Sequence, residues 1–350
     1  MVKAHGGHSS YSVRMTLHDT LKAALNRRET LLSELYPDTT CVRLLHGIAE
    51  DAPGVAIDRY GSVLLVQTWR DPIDESDLPK LAEAASQAVG TALTPVWNHR
   101  GEKGRPFYRK WHRPELPEAL EGTELGLTFD VRPRHKGIDP LLFLDFRAAR
   151  RWIRDHAEGK TVLNLFSYTC GIGVAALAGG AKEVMNVDFA ESALKTGQDN
   201  CRRNKLDLAK FRTHKDDVFP ALRQLAGLSV GGRRSQRLRY RELQARQFDL
   251  VVLDPPRYAK SRWGVVDVKN DYPSLLKPAL LATAPGGTLL ATNNAGDVTW
   301  DDWIPVVERT AQKAGVSIGP IERMMPELDF PSFDDQPPLK AALITRASEP

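Results

Sequence analysis

The chain has 350 residues and a formal net charge of +4; 42% of its residues are hydrophobic and 26% are charged. This composition is typical of a folded globular protein of one large or two smaller domains, and the mild positive charge permits a polyanionic partner without requiring one. No apolar run approaches the roughly 18 residues of a membrane span, the N-terminus lacks the apolar core of a secretory signal, and three scattered cysteines suit neither a disulfide framework nor a zinc site, so we expect a cytoplasmic protein without membrane or metal.

The first 130 residues alternate helical and strand patterns. Residues 1–16 show no pattern, and we expect a flexible N-terminus there. Leucines at helical spacing predict one helix over residues 17–36, ended by Pro37. Residues 42–47 and 52–69 resemble short strands with a hairpin tip at Tyr60–Gly61, and residues 75–92 predict a second helix. We therefore expect a small α+β substrate-recognition domain over residues 17–130.

From residue 131 short apolar runs alternate with helical segments. The runs cover residues 161–166, 183–188, 248–254, 287–293, 317–322 and 339–345. Such alternation predicts an α/β fold, a Rossmann-like parallel sheet covered on both faces, over residues 131–350. Ligands of these sheets bind beyond the carboxyl ends of the strands, where the strand order reverses.

The first of these strands runs into a glycine-containing turn that suits a nucleoside cofactor. Small residues let the backbone approach a ligand, and the following helix start offers free N–H groups. The next strand ends in Asp188, whose carboxylate can accept both hydroxyls of a ribose, with Phe189 beside it. The alternative is a tight turn and a helix-capping aspartate. The candidate cofactor residues of the turn are Asn164, Phe166, Ser167, Tyr168, Thr169 and Gly171.

Two further strand ends carry candidate contacts. Asp217 and Val218 follow a further strand, the third of the sheet, between the runs at residues 183–188 and 248–254. They would hold an adenine amino group and ring, unless Asp217 only caps the next helix. The fourth strand ends in Asp254, Pro255 and Pro256, and the prolines force the chain into a stiff loop that reaches Tyr258. A carboxylate, fixed carbonyls and an aromatic ring would hold a planar base; the alternative is a strand that merely ends in two prolines.

Three segments in this order resemble the bacterial large-subunit ribosomal RNA methyltransferases. They are FLDFRAARRWI from residue 143, LNLFSYTCGIGVAALAGGAKEVMNVDFAESAL from residue 163, and DPPRYAKSR from residue 254. The group includes the 23S rRNA cytosine-5 enzymes and related guanine-N7 and guanine-N2 enzymes. The resemblance implies a seven-stranded class I methyltransferase core and S-adenosylmethionine as cofactor. It also implies that Leu144, Asp145 and Arg147 help to bind the methionine part, with Arg147 on its carboxylate. The alternative is that Arg147, Arg150, Arg151 and Arg154 form the solvated face of a helix.

Two departures from this family affect the expected chemistry. Only residues 1–16 precede the first predicted helix, so we expect no N-terminal barrel of the pseudouridine-synthase-associated type. Cytosine-5 members use a cysteine after the fifth strand as a nucleophile, but residues 291–295 read ATNNA. The guanine-N7 relatives carry an Asn–Asn pair there, so we expect methylation of a nitrogen, with guanine favoured and Asn293 and Asn294 lining the pocket. Cys170 is interpreted as a packing residue.

Two basic segments with interleaved aromatic residues support an RNA substrate. They span residues 99–115 and 231–247. Arginine binds phosphates in a bidentate manner and tyrosine stacks on unpaired bases, although charged runs are often ordinary solvated surface. The candidate RNA contacts are Arg109, Lys110, Arg234, Arg237, Arg239 and Arg241.

The leading hypothesis is a methyltransferase of 23S rRNA or of a large-subunit assembly intermediate. A cytosine-5 enzyme, a small-molecule methyltransferase with the same core, and a non-catalytic S-adenosylmethionine-binding assembly factor are the alternatives. The small α+β domain also leaves a homodimer open.

Overall fold

A computed structural model describes residues 15–101, 110–112, 114–117, 119–133, 140–230 and 239–348, with backbone alone for 110–112. The two large sheets of the fold have five and seven strands. No helix within these ranges is long and apolar enough to cross a membrane. Within the same ranges, no three His, Cys, Asp or Glu side chains are grouped so as to hold a metal ion.

In the first part of the chain, helices pack on one face of the five-stranded sheet. The strand order is β1-β2-β3-β4-β5, and the β3–β4 pair is parallel while the other pairs are antiparallel. The elements are α1 (Leu17–Arg27), α2 (Glu29–Leu35), β1 (Cys41–His46), β2 (Val55–Tyr60), β3 (Val63–Thr68), α3 (Leu78–Val89), β4 (Thr94–His99) and β5 (Lys110–His112). A hairpin of β6 (Glu121–Glu124) and β7 (Leu127–Asp130) follows.

The helix predicted over residues 17–36 is in fact two helices, because the chain breaks at Arg28. Arg28 leaves the helical conformation with φ −98° and ψ 2°. Its buried guanidinium donates to both carboxylate oxygens of Glu50, at 2.6 and 2.7 Å. Leucines on both sides of the break are buried in the same core, so the apolar spacing continues across it and cannot reveal it.

The second part of the chain forms the seven-stranded sheet, with order β10-β9-β8-β11-β14-β16-β15. All neighbouring pairs are parallel except those that involve β16. Its elements are α4 (Arg147–His156), β8 (Thr161–Leu165), α5 (Gly171–Ala178), β9 (Glu183–Asp188), α6 (Glu191–Arg203), β10 (Phe211–Lys215), α7 (Val218–Leu225), β11 (Phe248–Leu253), β12 (Tyr258–Lys260), β13 (Val265–Asp267), α8 (Pro273–Ala282), β14 (Thr283–Asn293), α9 (Trp300–Ala314), β15 (Ile318–Met324) and β16 (Lys340–Arg346).

This topology confirms the predicted α/β fold class. The chain moves outward from β8 to β10 and then returns to place β11 on the other side of β8, so the strand order reverses between β8 and β11. Successive side chains of these strands enter different cores: Val162 packs on one face of the sheet, and Leu163 packs on the other. Burial on both faces explains why the central strands β8 and β11 are rich in apolar residues.

The two sheets share one apolar core. Cys41 and Tyr60 of the five-stranded sheet pack in the same buried cluster as Val162 of β8. The hairpin of β6 and β7 also contacts α6, because Asn200 and Asn204 accept backbone N–H groups of β7 at 2.8 Å each. The domain boundary expected at residue 130 therefore falls where the hairpin meets the second sheet, and it stays a prediction.

Candidate functional site

A cavity of about 630 Å³ lies at the switch point between β8 and β11. Its walls come from the carboxyl ends of β8, β9, β11 and β14 and from the segment that precedes α4. This is where parallel sheets bind their ligands. It brings together twelve of the residues expected from sequence: Asp145, Asn164, Phe166, Ser167, Tyr168, Thr169, Gly171, Asp188, Phe189, Asp254, Pro255 and Pro256.

The loop from β8 to α5 is strained. Phe166, Tyr168 and Cys170 all have a positive φ, at 55°, 47° and 58°. Each non-glycine residue in this region costs on the order of 1 kcal/mol or more, and such residues cluster at functional sites. The loop is held tightly, since a Cβ on Gly173 would lie 2.2 Å from Oδ1 of the buried Asn186. Close packing of α5 on β9 therefore fixes a backbone conformation that faces the cavity.

Asp188 is positioned as an acceptor of hydroxyl groups. Its two carboxylate oxygens accept the backbone N–H groups of Tyr168 at 2.9 Å and Ala190 at 2.8 Å. Burial raises the pKa of this carboxyl, and the amide donors act in the opposite direction. An ionised carboxylate has about four acceptor sites, so it can accept two more hydrogen bonds from a diol in the cavity.

Arg147 does not line the cavity, which corrects the expectation that it binds a ligand carboxylate. Its side chain is fully buried between the two sheets. It donates to Glu327 at 2.7 Å and to the carbonyl of Cys41 at 2.8 Å, and it forms an ion pair with Asp329. These partners occupy the guanidinium, so Arg147 joins the two parts of the chain instead.

Arg150, one helical turn further on, lines the cavity in its place. It pairs with the buried carboxylate of Glu124 and donates to the carbonyl of Phe143 at 2.7 Å. Its Nη1 has no hydrogen-bond partner among the described residues, so this atom is available to an anionic group in the cavity. Arg150 was named from sequence only in the alternative of a solvated helix face; its spacing of three residues from Arg147 was the signal that places both on the inner side.

Besides Arg147 and Asn293, four expected residues lie outside the cavity walls. Leu144 is buried in the core, and Val218, the first residue of α7, is buried in the core on the other face of the sheet. Asp217 caps α7 by accepting the N–H of Phe219 at 2.9 Å, which was the alternative interpretation. Tyr258 begins β12 between Arg257 and Ala259, which line the cavity, but Tyr258 itself is outside the lining and is 54% exposed.

Asp254 is a carboxyl group of the cavity with a raised pKa. Burial raises its pKa to about 6, the nearby carboxylate of Asp145 adds to this effect, and the hydroxyl of Thr292 and the charge of Arg150 oppose it. Thr292 donates to Oδ1 of Asp254 at 2.5 Å. Thr292 was not among the residues expected from sequence, although a polar residue inside the apolar run of β14 indicates a functional contact. Asp254 is therefore ionised near neutral pH and held in one orientation.

Asn294, rather than Asn293, faces the cavity. Asn293 is turned inward: its Nδ2 donates to the carbonyl of Val268 at 3.1 Å, and its Oδ1 accepts the N–H of Ala295 at 3.0 Å. Nδ2 of Asn294 donates to the carbonyl of Pro255 at 3.4 Å. Because that carbonyl can only accept, the amide orientation is fixed, and Oδ1 of Asn294 is buried without a partner among the described residues.

The basic segments are described only in part. Arg109, Arg234 and Arg237 lie outside the described residues, as does the side chain of Lys110. Arg241 donates its backbone N–H to Asp216 at 2.8 Å, and the neighbouring Arg239 is exposed.

Comparison with known proteins identifies the family of this site. A model of the S-adenosylmethionine-dependent methyltransferase family matches residues 42–345. The chain is 31% identical over 309 residues to ribosomal RNA large subunit methyltransferase I of Cronobacter sakazakii, covering 84% of this chain and 71% of that protein. It is 32% identical over 318 residues to the enzyme of the same name from Tolumonas auensis, covering 89% and 75%.

Solved structures share the fold. A methyltransferase crystallised with S-adenosylhomocysteine matches with a TM-score of 0.76 at 24% identity, over 94% of this chain and 80% of that one. A methyltransferase from Streptococcus mutans matches with a TM-score of 0.74 at the same identity and coverage.

The residues of the cavity fit S-adenosylmethionine. Asp188 offers acceptors for ribose hydroxyls, Nη1 of Arg150 offers a cation for the methionine carboxylate, and Phe189 and Ile172 offer apolar surface for a ring. The volume of about 630 Å³ lies within the range of small-molecule sites. With the match across residues 42–345, this chain belongs to the S-adenosylmethionine-dependent methyltransferase family.

Proposed function

We propose that this enzyme methylates a base nitrogen of large-subunit ribosomal RNA, with guanine as the favoured base. Relatives with 31% and 32% identity carry the name ribosomal RNA large subunit methyltransferase I, which supports the class of substrate. The choice of nitrogen rests on the contents of the cavity. A homodimer formed through the small α+β domain stays a prediction.

The observation that carries the nitrogen assignment is the buried, unpartnered Oδ1 of Asn294 beside Asp254. Both groups accept hydrogen bonds, and a guanine presents its N1–H and its N2 amino group as adjacent donors on one edge. A base unstacked from its helix would be oriented by these two acceptors, and the exposed ring of Tyr258, whose neighbours Arg257 and Ala259 line the cavity, would be available for stacking. S-adenosylmethionine, when bound, would supply a methyl group whose bond to sulfur breaks as the bond to nitrogen forms, and the proton that this nitrogen loses would pass to the carboxylate of Asp254.

The cysteines disfavour the cytosine-5 alternative. That reaction needs a thiolate at the cavity, because carbon 6 of the base must first be attacked. Cys41, Cys170 and Cys201 are all buried, and none lines the cavity. Burial raises the thiol pKa of Cys41 to about 12 and that of Cys201 to about 11, and it raises the pKa of Cys170 further. Nucleophilic thiolates are instead found where the pKa is depressed.

RNA that contains 5-fluorocytidine tests this choice. A cytosine-5 enzyme that methylates such a base cannot eliminate the fluorine and stays covalently attached to the RNA. We expect no RNA–protein adduct that survives denaturation, while guanine in the same RNA is methylated. A stable adduct that depends on S-adenosylmethionine would contradict the nitrogen mechanism.

The pH dependence of the reaction should follow the carboxyl of Asp254. Its pKa of about 6 means that the accepting, ionised form is complete only above that pH. We expect the single-turnover rate to rise as the pH increases through about 6 and then to level off. Rates measured from about pH 5 to about pH 8 check this, and Asp254→Asn should remove the inflection. A wild-type rate that does not change across the range would contradict the role of Asp254.

The RNA surface is proposed to surround the hairpin of β12 and β13. Tyr240, which follows Arg239 in sequence, packs edge-on against Trp263 with ring centroids 5.4 Å apart, and Lys260 and Arg262 of the same hairpin are exposed. The hairpin begins beside the cavity, whose wall includes Ala259. Cations in this position suit the phosphates on either side of an unstacked base.

Replacing Arg239, Lys260 and Arg262 together by alanine should weaken RNA binding and reduce its salt dependence. Three lost phosphate contacts lower the slope of log K against log salt by about 2 for single-stranded RNA. Fluorescence anisotropy over a salt series measures the slope. A control variant replaces the exposed Lys195, Lys277 and Lys313 on α6, α8 and α9, and its slope should match the wild type. Equal slopes for both triple variants would exclude the hairpin from the RNA surface.

A further inference from the structure

A second cavity, of about 610 Å³, lies in the first part of the chain, among the ends of α1, α2 and α3. Arg59 of β2 lines it. In the sheet Arg59 is paired with Val42 and Leu64, whose side chains belong to the core beneath the helices. The next residue, Tyr60, points to the opposite face and donates to the carbonyl of Leu142, which lines the methyltransferase cavity, at 2.9 Å. The two cavities therefore lie on opposite sides of β2.

Arg59 is a buried cation without an acidic partner. Only 7% of it is exposed, and its one hydrogen bond within the described part of the chain runs from Nε to the carbonyl of Gly61 at 3.0 Å. The other arginines buried in that part, Arg28, Arg147 and Arg150, all form ion pairs with carboxylates. Burial lowers the pKa of Arg59, and no carboxylate offsets this effect.

A buried arginine without an acidic partner indicates a binding site for an anion. An unpaired charge is costly to bury, and an arginine fork with two free nitrogens matches the oxygens of a phosphate. The rest of the lining offers neutral polar side chains, including those of Asn26, Ser33 and Gln87. Glu29, the carboxylate of the lining, is exposed and lies beyond ion-pair distance of Arg59.

An exposed aromatic ring stands at the same cavity. Tyr36 lines it with 69% of its side chain exposed. Aromatic rings in this position stack on unpaired bases, and the combination of a stacking ring with a phosphate-binding arginine is how proteins hold single-stranded nucleic acid. A free phosphate ion would use the arginine but would gain nothing from the ring.

We propose that this cavity binds one nucleotide of the RNA substrate, with its phosphate on Arg59 and its base on Tyr36. The inference rests on the proposed action on RNA. It adds a contact on the far side of β2 from the methyltransferase cavity, so that a segment of RNA away from the modified base is held as well. The site sets the affinity for RNA and takes no part in the transfer step.

Arg59→Met and Tyr36→Ala test this site. We expect Arg59→Met to weaken RNA binding about 10- to 100-fold and Tyr36→Ala about 5-fold or more, in both cases through KM, with kcat and the affinity for S-adenosylmethionine unchanged. Methionine keeps an unbranched apolar stem and removes an unpaired buried charge, so Arg59→Met should unfold at the wild-type temperature or above. A structural role for Arg59 would lower that temperature instead. The exposed Arg309→Met serves as the matched control.

The outcomes separate this inference from the proposed function. If the wild type methylates ribosomal RNA but Arg59→Met has the wild-type KM for it, the inference fails and the proposed function stands. If the wild type methylates no RNA, the proposed function fails first. Calorimetry with inorganic phosphate and with adenosine monophosphate identifies the ligand. Binding of either one, combined with unchanged RNA affinity in Arg59→Met, would assign the cavity to a free phosphate compound and overturn the RNA contact.

Discussion

Replacing Asp188 by alanine is expected to lower the affinity for S-adenosylmethionine by at least about 100-fold. Hydrogen bonds to a charged acceptor contribute about 1.5–3 kcal/mol each, and the ribose would lose two of them. The carboxylate also accepts the N–H groups of Tyr168 and Ala190 at 2.9 and 2.8 Å, so its loss frees the strained loop as well. Isothermal titration calorimetry with S-adenosylmethionine measures the effect.

A matched control distinguishes this effect from the loss of a surface charge. Asp199 lies on α6 and forms an exposed ion pair with Arg202. Asp199→Ala should bind the cofactor as the wild type does, and circular dichroism should show both variants folded. Wild-type affinity in a folded Asp188→Ala would remove Asp188 from the cofactor site.

Asp254→Asn is expected to lower kcat by about 100- to 1000-fold with little change in cofactor affinity. The amide keeps an oxygen that can accept the hydroxyl of Thr292, so the local fold is preserved. It loses the negative charge and turns a donor toward the base, where the proposed substrate also presents donors. Single-turnover transfer of a labelled methyl group from pre-bound S-adenosylmethionine measures the effect on the chemical step.

Thermal unfolding provides an independent check on the same variant. Burial raises the pKa of Asp254 to about 6, so the native state favours the protonated form. The stability that this proton affinity provides is complete below the ordinary pKa of an aspartate and is lost as the pH rises through about 6. Asp254→Asn should therefore be at least as stable as the wild type above pH 6. The exposed Asp271→Asn is the control for both measurements. Wild-type kcat in Asp254→Asn would show that this carboxylate does not act on the substrate.

The sequence predicted the second sheet well because its strands are buried on both faces. Residues 183–188, for example, are buried along almost their whole length, and β9 spans the same residues. The first part of the chain was harder to predict. The break at Arg28 depends on an ion pair with Glu50, which is distant in sequence, and no local pattern shows such a contact.

The candidate site was predictable where it follows from strand ends and less so where it depends on side-chain direction. Asp188 and Asp254 follow buried strands, so topology alone brings them to one crevice. The choice between Arg147 and Arg150, like that between Asn293 and Asn294, is decided by partners elsewhere in the fold. Glu327 holds Arg147, and the carbonyl of Val268 holds Asn293.

The most direct test of the account is nucleoside analysis of RNA methylated by the purified enzyme. Ribosomal RNA and large ribosomal subunits from cells that lack the gene would be incubated with radiolabelled S-adenosylmethionine and digested to nucleosides. We predict label in a methylguanosine. Label in 5-methylcytidine would contradict the nitrogen mechanism and the role given to Asn294. Absence of label from all RNA, with S-adenosylmethionine still bound, would contradict the RNA substrate itself.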